Sequence, residues 1–98
     1  MIPLFTLPEK TPTESVVVEF VFDAELVAID SAVVSIAVRD GADPAVAAML
    51  EGALQIQGTS VLQRVGAGVD QVNYLLSCVA THGEDVRENP AILPVRAA

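Results

Sequence analysis

A chain of 98 residues with a formal net charge of −8 is enough polypeptide for one domain, and its five basic residues (Lys10, Arg39, Arg64, Arg87 and Arg96) form no cluster. That balance excludes the basic footprint by which proteins hold nucleic acid or anionic lipid. The one cysteine, Cys78, permits no internal disulfide, so the fold rests on its core; the apolar fraction of 52% is more than so small a domain hides, which leaves apolar surface for a partner.

Residues 1–14 carry Pro3, Pro8 and Pro12 and read as an extended arm, because proline fixes φ and removes a backbone donor. The arm has no basic n-region, so it is not expected to act as a secretory signal, and no apolar run approaches the roughly 20 residues of a membrane span. These features predict a protein made in the cytoplasm that uses no membrane. Residues 15–98 are expected to form the folded domain.

The domain opens on "SVVVEFVF", where Val16, Val18, Phe20 and Phe22 share one face at period two. "AVVSIAVR" repeats the pattern with Val34, Ile36 and Val38. "ALQIQ" and "SVLQRV" form a shorter pair across a Gly58-Thr59-Ser60 turn. In "QVNYLLSCVAT", Val72, Tyr74, Leu76, Cys78 and Ala80 fall on one face, and "AILPVR" closes the chain, with Pro94 expected at a sheet edge. Between the second and third strands, "DPAVAAMLEG" predicts a short helical turn near 44–51, with Asp43 as N-cap, Pro44 at the first helical position and Gly52 beyond the end. Short strands with turn signals between them indicate an all-β antiparallel sandwich.

Tyr74 refines that expectation. In immunoglobulin-like sandwiches a tyrosine near the start of one strand bonds its hydroxyl to upstream backbone and pins a corner. Asp70, Val72 and Tyr74 have that spacing, and Gly66 and Gly68 before them allow a turn with positive φ. A tyrosine packed in phase with the core is the alternative, and either way its role is architectural.

No catalytic constellation stands out. Cys78 alternates with Tyr74 and Leu76 and reads as a small buried hydrophobe, with no neighbour in sequence to activate it. His82, Glu84 and Asp85 match no metal loop, and "THGEDVRENP" reads as a solvated turn. Asp40 and Asp43 lack the further carboxylates of a calcium site, and the "GAG" of residues 66–68 opens no helix. The sequence therefore predicts no enzyme, no cofactor and no metal. The informative feature is the second strand face: Val17, Val21, Leu75 and Val79 fall opposite the core, where a solvated sheet carries polar residues. That face is expected to be covered by another subunit or by the arm.

Several stretches in order resemble a family of small tailed-phage proteins, the fiber-tail adaptors. They are "EKTPTESVVVEFVFD", "IDSAVVSIAV", "GADPAVAAMLEGALQIQGTSVLQRVGAG", "VNYLLSCVATHG" and the final "LPV", with Gly58, Val61, Val65, Gly68, Tyr74, Cys78, Thr81 and Gly83 as the main points of likeness. The chain departs from the family at Val72, where members carry a second glycine. The resemblance implies an immunoglobulin-like virion structural protein, without catalytic residues, that joins tail and receptor-binding fiber and is present in several copies. The other reading left open is an immunoglobulin-like module that binds carbohydrate or a host protein through its end loops.

Overall fold

Strict alternation of apolar residues commits most of this chain to strands that bury one face. A computed structural model describes residues 5–24 and 26–97. Of the N-terminal arm, residues 1–4 lie outside the described residues. The strands are β1 (Phe5–Thr6), β2 (Val16–Val21), β3 (Ser31–Asp40), β4 (Leu50–Gln57), β5 (Ser60–Val65), β6 (Val72–His82) and β7 (Asp85–Val95). They make two sheets, of order β1-β7-β6-β3 and β2-β5-β4. Every pairing is antiparallel except that of the short β1 with β7. The protein is a two-sheet β-sandwich.

The two inner faces meet in one core. Val18, Phe20, Phe22, Val61 and Val65 come from the three-stranded sheet and its flank, and Tyr74, Leu76, Cys78, Leu93 and Val95 from the other. Full burial of each large aliphatic or aromatic side chain contributes roughly 1.5–3 kcal/mol, which is how a chain without a disulfide holds together. β3 is less deeply seated: Val34, Ile36 and Val38 are half-buried.

Four local features differ from the sequence expectation. First, the solvated turn expected over "THGEDVRENP" shrinks to Gly83 and Glu84, and β7 already runs antiparallel to β6 from Asp85. Gly83 (φ +59°) allows the tight reversal. Second, Pro94 is not on an edge strand, because the arm pairs with β7. The Pro94 carbonyl accepts the Lys10 N–H at 3.1 Å, so the face of Pro94 that lacks a donor also turns toward the arm. There the arm, at Leu7 to Glu9, leaves regular pairing. The missing hydrogen bond is therefore not lost from the β6–β7 ladder.

Third, the helical segment is a single 3₁₀ turn, Val46–Met49, capped by no side chain. So short a stretch gains little from helical hydrogen bonding, and burial of Met49 decides its conformation. Gly52 lies within β4 (φ +73°), where the pairing with β5 shifts register between Glu51 and Gln55. Fourth, Gly66 does not use its conformational freedom. A Cβ there would come within 2.2 Å of a Glu51 carboxylate oxygen, so glycine makes room for that side chain. The left-handed positions of this turn fall on Ala67 (φ +55°), Gly68 (φ +103°) and Gln71 (φ +69°).

Candidate interaction surfaces

The Tyr74 hydroxyl is the junction of the lower corner. It accepts a hydrogen bond from the Val69 N–H at 2.8 Å and donates to Asp43 Oδ2 at 2.7 Å. The other Asp43 oxygen accepts the Ala45 N–H at 2.9 Å, so this aspartate ties the β3–β4 crossover to the start of β6. Burial first, and the bond to Asp43 second, raise the phenol pKa above its ordinary value, while the Val69 N–H opposes them. Asp70 serves the same corner from outside: its Oδ1 accepts the Ala97 N–H at 2.7 Å and holds the end of the chain. These contacts tie the crossover, the turn before β6 and the segment after β7 into one corner.

Cys78 is fully buried, and burial pushes its thiol up to about 11. A thiol so placed is mostly protonated at neutral pH and poorly nucleophilic. His82 Nδ1 lies 3.1 Å from Asp30 Oδ1, while Asp30 Oδ2 accepts the Gly83 N–H at 2.8 Å. The Gly83 N–H and then His82 hold the Asp30 carboxyl below its ordinary value. The pair fastens the β2–β3 connection to the β6–β7 hairpin. Among the described residues, no group of three or more His, Cys, Asp or Glu is placed to hold a metal ion, and no helix is long and apolar enough to cross a membrane.

The residues Val17, Val21, Leu75 and Val79 do not form one patch. Val17 and Val21 stand on the outer face of the three-stranded sheet, at 50% and 48% exposure. Their cross-strand neighbours on β5 are Arg64 and Ser60. Leu75 and Val79 stand on the outer face of the four-stranded sheet, on the opposite side of the sandwich. There the register places Val33 of β3 beside Val79, and Ala37 of β3 and Ile92 of β7 on either side of Leu75. Val33 is 66% exposed and Leu75, Val79 and Ile92 are half-buried. On this second face the apolar residues form two groups, Ala37, Leu75 and Ile92 in one and Val33 with Val79 in the other, separated by Ser35 and Ser77, with Glu88 of β7 beside Val79; the first face is a mixed surface of valine, glutamate, glutamine and arginine.

Two buried polar residues carried no signal in the alternation. Gln63 faces inward from β5, and its Nε2 donates to the Arg64 carbonyl at 2.9 Å and to the Gly52 carbonyl at 3.3 Å, bracing the irregular part of β4. Lys10, in the arm, is only 2% exposed. Its Nζ donates to the Thr11 carbonyl at 2.7 Å and to the Ala67 carbonyl across the turn that precedes β6. Burial lowers its pKa, and the fields of Glu14 and Glu51 partly restore it. In sequence Lys10 looks like one more arm residue; its role depends on the parallel bridge that sets it opposite Val95.

Beside Lys10 a groove of about 230 Å³ opens between the arm and the edge of β2 that pairs with no other strand among the described residues, with Leu7, Val16, Val18 and Leu93 supplying much of its apolar lining. It is smaller than the roughly 300–1,000 Å³ of small-molecule sites, so it suits one or two side chains rather than a cofactor. Compared with known protein families, curated proteins and solved structures, the chain matches none.

Proposed function

We propose that this protein is a non-enzymatic structural subunit of a tailed-phage virion, an immunoglobulin-like sandwich present in several copies that joins tail to receptor-binding fiber. The observation that carries this reading is the placement of its exposed aliphatic residues on two opposite outer faces. A subunit that bridges two neighbours needs surfaces pointing apart, whereas a dimerising subunit needs one. The molecule measures 40 × 28 × 21 Å, so its broad faces can supply the roughly 800 Å² that each partner gives to a standard interface.

The strand order supports the immunoglobulin-like type. Sheets of order β2-β5-β4 and β7-β6-β3 correspond to the B-E-D and G-F-C sheets of that fold, and the hydroxyl of Tyr74, near the start of the sixth strand, bonds upstream backbone. The alternative, a module that binds carbohydrate or a host protein through its end loops, finds no exposed aromatic platform among the described side chains. The chain has no tryptophan, and Phe20, Phe22 and the single tyrosine are spent in the core.

Sedimentation of the purified protein with tail and with fiber proteins tests the reading. Each is expected to form a complex that Val79→Glu or Val17→Glu weakens at least tenfold without shifting the unfolding midpoint beyond about 1 kcal/mol. A compact monomer in every mixture would transfer support to the loop-binding module.

A further inference from the structure

The edge of β2 left without a partner strand among the described residues has the features of a docking site for a strand. Antiparallel pairing turns the N–H and C=O of alternate residues toward the partner strand and those between them away from it. In β2 the phase is fixed at one end: the Phe22 N–H reaches the Thr59 carbonyl on the β5 side at 2.8 Å, while the Val21 carbonyl accepts Asn89 Nδ2 from β7 at 3.0 Å. By parity, Val17 and Glu19 aim their backbone groups at the open edge. The apolar groove between arm and sheet runs beside these two residues.

We infer that β2 receives an extended segment of another protein, one that adds a fourth strand to the β2-β5-β4 sheet and alternates apolar with basic residues. Alternate side chains of an added strand point to opposite faces. Those on the inner face enter the groove between Leu7, Val18 and Leu93, which selects aliphatic residues of modest size. Those on the outer face lie beside Glu19, and Glu9 stands across the groove mouth. Both glutamates are exposed. Lys10, the one basic residue lining the groove, is committed to the Thr11 and Ala67 carbonyls. The rim is therefore acidic, on a chain of net charge −8, and a basic strand complements it better than a second copy of the same acidic chain. Strand addition at this edge does not depend on the assembly in which the protein works.

The test uses the full chain and a fluorescent ten-residue peptide alternating valine and lysine, read by anisotropy and by amide exchange. The peptide is expected to bind, to slow exchange at the Val17 and Glu19 amides, and to lose about tenfold or more in affinity when its alternate amides are N-methylated. A valine–glutamate peptide is expected to bind more weakly. Glu19→Lys, an exposed substitution, should reduce binding of the basic peptide about fivefold and improve that of the acidic one. Absence of binding, binding indifferent to N-methylation or to the sign of the peptide's charge, or protection of the Val17 and Glu19 amides by self-association of the protein alone would each overturn the proposal.

Discussion

Removing the Tyr74 hydroxyl perturbs two hydrogen bonds while leaving the buried ring in place. The bond accepted from the Val69 N–H is worth about 1 kcal/mol net. The bond donated to the Asp43 carboxylate falls in the charged class of about 1.5–3 kcal/mol, toward its lower end because Asp43 is half-buried and water reaches it. Tyr74→Phe is therefore expected to cost about 2–3 kcal/mol, a large share of the roughly 5–15 kcal/mol that stabilises a domain. Urea unfolding should show a lower midpoint with an unchanged slope. Asp43→Ala should cost nearly as much, and the double variant less than the sum, with a coupling energy of about 1–2 kcal/mol. The pH dependence gives a second readout. The folded pKa of the phenol lies above its ordinary 10.0, so the stability it confers is complete below about pH 10 and lost as pH rises through the folded value. Tyr74→Phe should remove that part of the alkaline decline. A midpoint within 0.5 kcal/mol of the parent (roughly the noise of surface substitutions), or strict additivity with Asp43→Ala, would refute the corner as a load path.

Lys10→Met, which keeps the stem and deletes the ammonium, should cost about 1–3 kcal/mol and speed amide exchange at Leu7 and Lys10, whose N–H groups bond the Ile92 and Pro94 carbonyls. Unchanged exchange there would mean that the ammonium does not hold the arm. Cys78 should resist thiol reagents until global unfolding, and its raised pKa should lower stability between about pH 9 and 11 by up to about 3 kcal/mol, a decline that Cys78→Ala removes. Stoichiometric labelling of the native protein would contradict that burial. Gln63→Leu should destabilise by about 1–3 kcal/mol through loss of its hydrogen bonds to the Gly52 and Arg64 carbonyls, measured again by urea midpoint; a neutral outcome would show that those bonds do not brace β4.

Period-two patterning was sufficient to read the strands that bury one face, because alternation is a local consequence of pleating. β5 begins and ends where "SVLQRV" does, and β2 and β6 differ from their expected bounds by a residue or so at either end. The polar first half of β7 was illegible for the complementary reason. Asp85 to Asn89 is a strand because it pairs with β6, not because it buries an apolar face. The partner of the Tyr74 hydroxyl was half legible: the Asp70 spacing pointed to the right turn, but the acceptor is Asp43, brought in over 31 residues by the crossover. Lys10 and Gln63 follow the same rule, since each is buried by contacts remote in sequence. The apolar second faces were visible in Val17, Val21, Leu75 and Val79, but their division between opposite sides of the sandwich needed the sheet order.

That division is the basis for the proposed bridging role, and the mass of a three-component complex tests it most directly. Sedimentation equilibrium of the protein mixed with candidate tail and fiber proteins is expected to give one species containing all three, with Val79→Glu and Val17→Glu each losing a different partner and retaining the other. A complex in which both variants lose the same partner, or a mixture in which the protein stays monomeric, would contradict the account.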